Sequence, residues 1–150
     1  MPQSLAMIHV HLIFSTKSRE RILRDRVRGP LHGYMAAVLN NLGCVPLIIN
    51  SVEDHIHILF DQSRIVTLST VVEEVKKSSS RWIKTQGPEF QEFAWQAGYG
   101  AFSVSESNLE SVRQYIANQQ EHHRRRSFQE EFRAFLTRHR IEFDERYVWD

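Results

Sequence analysis

Two stretches alternate so regularly between apolar and polar positions that they constrain the fold more than any other part of the chain. One is residues 6–14, Ala-Met-Ile-His-Val-His-Leu-Ile-Phe; the other is residues 52–60, Val-Glu-Asp-His-Ile-His-Ile-Leu-Phe. Alternation with a period of two is the pattern of a half-buried β-strand. In a strand, residues i and i+2 point to the same face, roughly 7 Å apart. In the first stretch Ile8, Val10, Leu12 and Phe14 therefore share one face, and His9, His11 and Ile13 the other. In the second, Ile56, Ile58 and Phe60 point into a core while His55 and His57 share the opposite face. Two imidazoles so placed can converge on one metal ion. The same pattern also describes two polar residues on a solvated strand face.

The remaining elements follow from local signals. Ser15 to Arg28 is a polar, basic connection, and Gly29-Pro30 punctuates it. A helix follows to about Leu42, with Leu31, Tyr34, Met35, Val38 and Leu42 at helical spacing and Gly43 as a C-terminal stop. Residues 44–50 read as a second strand, and Pro46 suits it to a sheet edge. Thr67 or Ser69 can cap a helix to about Lys84, whose apolar stripe is Leu68, Val71, Val72, Val75, Ser79, Trp82 and Ile83. Lys76, Lys77 and Arg81 lie off that stripe. Gln86-Gly87-Pro88 ends the helix, and an aromatic-rich segment without clear period leads to a short strand at Ala101-Phe102-Ser103-Val104. Ser107-Asn108-Leu109-Glu110 reads as a capping box opening a helix to about Arg124. A last helix spans about Phe128 to Arg138, and an extended tail carries Phe143, Tyr147 and Trp149.

The order is β-α-β-β-α-β-α-α, without repeats, low-complexity segments or an interior linker. Its first six elements match a split βαβ, ferredoxin-like or RRM-like domain of the α+β class. The expectation is a central antiparallel sheet, helices on one face, a C-terminal helix carrying the candidate chemistry and one further helix. Strands one and three would lie side by side, making His9 and His11 neighbours of His55 and His57.

The chain's 150 residues suit a single domain over 1–150, with a sizeable core. A hydrophobic fraction of 41% and a charged fraction of 25% are those of an ordinary globular protein. A single cysteine, Cys44, leaves no internal disulfide and fits a reducing compartment. The segment Met1-Pro2-Gln3-Ser4 shows no signal-peptide pattern, and no apolar run approaches the ~20 residues of a membrane span. The expectation is thus a cytoplasmic protein with no membrane partner. Net charge is only +1, so total charge does not announce a nucleic-acid binder. Its distribution is uneven. Residues 17–28 hold Lys17, Arg19, Arg21, Arg24, Arg26 and Arg28 against Glu20 and Asp25, a cluster that reads either as a phosphate grip or as a solvated loop.

On the helix after Ser107, Leu109, Val112 and Ile116 mark the buried stripe at about 100° per residue. Tyr115, Gln119 and His122 form a polar line beside it. Tyr115 reads either as a boundary tyrosine with a packed ring or as a nucleophile facing a metal on the sheet. His122 and His123, ahead of Arg124-Arg125-Arg126, read as surface residues. A tyrosine hydroxyl, with pKa near 10, is a poor nucleophile at neutral pH and needs a strong electrophile. A divalent ion on a phosphodiester supplies one, by neutralising non-bridging oxygens and stabilising the leaving 3′ oxygen. Two histidine nitrogens and one glutamine oxygen would give three ligands and leave room for substrate.

Several segments together resemble the HUH single-tyrosine transposases, small enzymes that cut and rejoin single-stranded DNA. Val10 to Lys17 resembles their first strand and following loop, and Asp54 to Leu59 contains the His-hydrophobic-His motif. Trp95 to Val104 resembles the segment before their catalytic helix, and Tyr115-Ile116-Ala117-Asn118-Gln119 their tyrosine motif. The resemblance implies that Tyr115 is the nucleophile and forms a 5′-phosphotyrosine, leaving a free 3′-OH. It implies that His55, His57 and Gln119 hold Mg²⁺ or Mn²⁺; two imidazoles suit Mn²⁺ better, since Mg²⁺ prefers oxygen. It also implies a homodimer with composite active sites, acting on single-stranded DNA that carries hairpins, in a bacterial or archaeal cytoplasm near the nucleoid. His11, Lys17, Arg19, Arg21, Lys76 and Lys77 are the candidate DNA contacts, His11 alternatively orienting a ligand.

Three other readings compete. A domesticated relative acting on host repeat hairpins would carry the same motifs. A non-catalytic RRM-like module would expose aromatic residues on the sheet for base stacking, where this chain offers histidines. A structural protein with a degenerate site does not fit the intact set of His55, His57, Tyr115 and Gln119.

Overall fold

The computed structural model describes residues 2–150. Its sheet has four antiparallel strands, β1 (His9–Ser15), β2 (Val45–Ser51), β3 (His55–Asp61) and β4 (Gly100–Val104), in the order β2-β3-β1-β4. The two alternating stretches thus occupy the centre. Their register sets Ile13 opposite His57 and Ser15 opposite His55. β2 is an edge strand, consistent with Pro46, and its ladder is irregular between Pro46 and Ile48. The α+β class and the ferredoxin-like sheet are those expected.

Helices α1 (Asp25–Asn41) and α2 (Leu68–Ile83) cover one face. Val10, Leu12 and Phe14 of β1 and Ile56, Ile58 and Phe60 of β3 meet Val27, Leu31 and Met35 of α1 and Val71, Val72 and Val75 of α2. All are buried, and side chains of this size contribute about 1.5–3 kcal/mol each when fully withdrawn from water. Thr67 caps α2, its side chain accepting from the Thr70 amide. Helix α1 begins four residues before Gly29, so Gly29-Pro30 does not punctuate it. Val27 shares the buried row with Leu31, Met35 and Leu39 at four-residue steps, and burial of that extra turn outweighs the proline's missing amide. Ile8, assigned above to the buried face, precedes β1 and is about half exposed.

The other face carries the histidines. Here α5 (Phe128–Arg138) presses Phe128, Phe132 and Leu136 onto Ile13 and Phe102. The helix expected from Ser107 to Arg124 is broken. It is α3 (Leu109–Ala117) and a single turn α4 (Gln119–His122), separated by Asn118 at φ −98°, ψ 24°. The capping box expected at Ser107 does not form; Asn108 is the N-cap and makes no side-chain bond. One forms instead at Ser127, whose hydroxyl accepts from the Glu130 amide while the Glu130 carboxylate accepts from the Ser127 amide. The tail folds back, with the Gly98 amide donating to the Asp150 carbonyl and Trp149 against Phe128 and Phe132. Among the described residues, no helix is long and apolar enough to cross a membrane.

Candidate metal centre and nucleophile

β3 positions His55 and His57 on the face under α5, and both are fully buried. α4 brings His123 to them at its C-cap, and α5 brings Glu131. One ligand atom from each of these four residues lies within 4.8 Å of the others. Glu131 Oε1 is 2.9 Å from His57 Nε2, 3.4 Å from His55 Nε2 and 3.3 Å from His123 Nε2. His55 Nε2 and His123 Nε2 are 2.9 Å apart.

The outer nitrogens of these rings are tied down. His55 Nδ1 donates to Asp54 Oδ1 at 2.7 Å, and His123 Nδ1 donates to the Arg126 carbonyl at 2.8 Å. His57 Nδ1 shares a hydrogen bond with His11 Nε2 at 2.8 Å. Such outer contacts fix ring orientation and turn the Nε2 lone pairs inward, as in metal sites. His11 is itself buried beneath Phe135. It supports a candidate ligand and also lines the cavity that reaches Tyr115 and Glu131.

Tyr115 lies on α3 beside this group. Its hydroxyl donates to Glu131 Oε2, its ring is 6.0 Å from the His57 ring, and His122 stacks on it at 4.4 Å. Gln119, at the start of α4, is fully buried; its Oε1 is 2.9 Å from His123 Nε2 and its Nε2 donates to the Tyr115 carbonyl. The structure therefore assembles Tyr115, His55, His57 and Gln119 within one chain. It adds His123, expected above as a surface residue but largely buried here, and Glu131, to which no role was assigned. For Glu131 a signal existed. Phe128, Glu131, Phe132 and Leu136 share the buried stripe of α5, so a carboxylate stands where the period calls for an apolar residue.

Electrostatics follow from burial. Burial alone would raise the Glu131 carboxyl, but the charge of His57 and hydrogen bonds from His123, His55 and His57 outweigh it and hold the group far below the usual carboxylate range. Burial and the Glu131 charge push the Tyr115 hydroxyl well above its ordinary value. Burial opposes charge on His55, yet its bonds to Asp54 and Glu131 raise it; in His57 burial prevails and lowers it. A donor set of imidazoles and one carboxylate suits a divalent transition ion better than Mg²⁺.

The basic residues divide. Arg19, Arg21, Arg28, Arg124, Arg125 and Arg126 line a cleft of about 650 Å³ that reaches His123. A smaller cavity reaches Tyr115 and Glu131, with Arg126 and Arg138 along it. Lys17 is exposed beside the β1 end. Lys76 is not free for phosphate. Its ammonium donates to the carbonyls of Gln96, Ala97 and Gly98, and burial pulls its pKa down to about 8. Lys77 is exposed, 3.7 Å from Glu74. Both lie on α2, across the sheet from the histidines.

A family profile described as "Transposase IS200 like" matches residues 4–119. Among solved structures, the chain is similar to a protein described as a transposase of Deinococcus radiodurans R1, with TM-score 0.62 and 24% identity over 79% of this chain and 98% of that one. It is also similar to a REP-associated tyrosine transposase bound to a REP hairpin, with TM-score 0.60 and 12% identity over 82% of this chain and 74% of that one. At these identities the likeness is one of fold. A search of curated proteins finds no match.

Proposed function

The chain belongs to the IS200-like transposase family, and from that membership we propose that it cleaves and rejoins single-stranded DNA with Tyr115 as the nucleophile. In this reading the Tyr115 oxygen attacks the scissile phosphorus, forming the tyrosine–phosphate bond as the bond to the 3′ oxygen breaks. The products are a 5′-phosphotyrosine and a free 3′-OH. Reversal by a new 3′-OH rejoins the strand. Residues 1–150 then act as one HUH transposase domain.

One observation carries the reading: the Tyr115 hydroxyl and the Nε2 atoms of His55 and His57 all reach the same buried carboxylate, so nucleophile and candidate ligands face one point. His55, His57 and Gln119 would hold a divalent ion, Mn²⁺ more readily than Mg²⁺. When bound, that ion supplies charge neutralisation at the phosphate and the leaving oxygen. Tyr115 is held for attack by α3 and by the ring of His122. The arginine-lined cleft ending at His123 is the candidate path for the strand.

Single-stranded DNA with a hairpin is the proposed substrate, supported by the likeness to a transposase bound to a REP hairpin. That likeness also favours a second reading, a domesticated relative acting on repeat hairpins of its host. Both place the protein on DNA in a bacterial or archaeal cytoplasm. A base-stacking module of the RRM kind is disfavoured, because α5 covers the sheet face that such a module uses. The family resemblance suggests a homodimer, but the convergence of Tyr115 with the candidate ligands inside one chain supports cleavage in cis.

The test is covalent trapping. With Mn²⁺ and a labelled hairpin oligonucleotide bearing a single-stranded flank, the protein is expected to give a labelled band on a denaturing gel. Tyr115→Phe should give none while still binding the hairpin. Adducts persisting in that variant would remove Tyr115 as nucleophile.

A further inference from the structure

We propose that His123 and Glu131 are themselves ligands of the metal, and that Glu131 holds the nucleophile against it. This rests on the reading above and extends it to residues outside the segment that matches the family, which ends at 119.

Three observations support it. The first is an excess of electron pairs at one point. His123 Nε2 faces His55 Nε2 at 2.9 Å, Gln119 Oε1 at 2.9 Å and Glu131 Oε1 at 3.3 Å. His55 and His123 both donate through Nδ1, so as neutral rings their Nε2 atoms present lone pairs to each other. Lone pairs converging at such distances need a cation between them, either a proton or a metal ion.

The second is spacing. Adjacent ligands bound at about 2.0–2.1 Å sit about 2.8–3.0 Å from one another in octahedral and about 3.3–3.4 Å in tetrahedral arrangement. The spacings of Glu131 Oε1 from His57, His55 and His123 are 2.9, 3.4 and 3.3 Å. These are the edges of a coordination polyhedron, formed by residues from β3, the end of α4 and α5.

The third is the cost of Glu131. A carboxylate at 1% exposure on the apolar stripe of α5 is expensive unless it is fully paired. An apolar residue there would continue the buried stripe of Phe128, Phe132 and Leu136 without that cost. Glu131 uses both oxygens: Oε1 faces the three Nε2 atoms and Oε2 accepts from Tyr115. It is the only side chain among those named that joins the imidazoles directly to the Tyr115 hydroxyl. Glu131 is thus a positioning residue for the nucleophile as well as a ligand. The three-imidazole, one-carboxylate set selects Mn²⁺, Co²⁺ or Zn²⁺ over Mg²⁺.

The experiment is calorimetric titration of the chelator-stripped full chain with MnCl₂ and, separately, MgCl₂. It compares the unmodified protein, Glu131→Gln, His123→Asn and the double variant His55→Ala/His57→Ala. Thermal melting of each without metal is the check on folding. The unmodified protein is expected to bind Mn²⁺ at least about tenfold more tightly than Mg²⁺, and the double variant to lose binding. Glu131→Gln and His123→Asn should each weaken Mn²⁺ binding by about 10–100-fold or more, the range for disrupting even an outer contact of a metal site. Glu131→Gln keeps size and shape but weakens the metal-free bonds to the imidazoles and to Tyr115, so its melting is read beside its affinity; a merely structural glutamate would show lower melting with intact Mn²⁺ affinity. Glu131→Asp, retaining the carboxylate, should bind Mn²⁺ more tightly than Glu131→Gln. Unchanged Mn²⁺ affinity in both single variants, with binding lost in the double variant, would overturn this inference and leave the transposase reading standing. No Mn²⁺ or Mg²⁺ binding by the unmodified protein would overturn both.

Discussion

The Tyr115 hydroxyl donates to Glu131 Oε2 while Glu131 Oε1 lies 2.9 Å from His57 Nε2. A side chain from α5 thus couples the candidate nucleophile on α3 to the candidate ligand on β3. The hydroxyl is neutral in this state, because burial and the adjacent carboxylate charge both disfavour the phenolate.

That hydrogen bond has a stability consequence. Removing the hydroxyl leaves Glu131 Oε2 buried without its donor. Hydrogen bonds to charged groups contribute about 1.5–3 kcal/mol when buried, and Tyr115 is only partly so. Tyr115→Phe is expected to lower metal-free unfolding free energy by about 1–2 kcal/mol in urea titration. No change would mean that the bond is not maintained in solution.

Because the site closes within one chain, it should work in cis. Tyr115→Phe and His55→Ala/His57→Ala are each expected to be inactive in covalent trapping. Mixed in equal amounts, they should remain inactive, since no chain holds both halves. Recovery of about a quarter or more of the unmodified activity would show that tyrosine helices exchange between subunits.

A pH dependence follows from His9, on the same sheet face. Its ring bonds Asp61 and Glu106, each at 2.5 Å, and these bonds raise its pKa. A raised histidine pKa means the folded state holds the proton more tightly than the unfolded state. The stabilisation is complete below the unfolded value of about 6.5 and is lost as pH rises through the higher folded value. Melting temperature should therefore fall as pH rises through this window, and the slope should flatten in His9→Gln. An unchanged slope in that variant would assign the dependence elsewhere.

Much of this was legible in the sequence, and what was not has identifiable causes. Alternation in residues 6–14 and 52–60 marked the central strands, which form at His9–Ser15 and His55–Asp61, and the face bearing His11, His55 and His57. The stripe Leu68, Val71, Val72, Val75, Ser79, Trp82 and Ile83 marked the inward side of α2, with Leu68 and Trp82 only partly buried at its edges. His123 escaped because a constant 100° per residue was carried through Asn118. The break there lets His122 stack on Tyr115 while the next residue turns to His55. Lys76 looked free because its three carbonyl partners, at 96–98, are distant in sequence and belong to no regular element. Glu131 was overlooked because the last helix was given only a span, about Phe128 to Arg138, with no buried face assigned to it. A charged residue within an apolar period is the signal to follow.

The arginine-lined cleft makes a prediction about salt. Removing one side chain that neutralises a phosphate should reduce the slope of log affinity against log salt by about 0.7 for a single strand. Arg124→Ala/Arg125→Ala, both cleft-lining and exposed, is expected to lower the slope by about 1.4 in fluorescence anisotropy with the single-stranded flank. Lys76→Ala lies across the sheet with its ammonium already bound to carbonyls, so its slope should stay unchanged. If Lys76 and not the arginine pair alters the slope, the strand follows α2 and not this cleft.

Gly100 decides how closely α5 can approach the sheet. It faces Ile13 in the ladder, and a Cβ there would lie 2.6 Å from Phe132 Cε2 and 2.9 Å from Cζ. That ring has little room to yield, being buried between Phe128 and Trp149. Gly100→Ala should therefore push Phe132 outward and carry Glu131, one residue before it, away from the histidines. Overpacking of this kind costs about 1–3 kcal/mol, and Mn²⁺ affinity should fall with it although no ligand is changed. Gly29→Ala is the control. It sits inside α1 with nothing within 4 Å of its would-be Cβ, and should stabilise by about 0.5–1 kcal/mol without touching the metal. Calorimetric titration and melting of both variants separate the outcomes: if Gly100→Ala destabilises but leaves Mn²⁺ affinity intact, the seating of α5 does not control the centre.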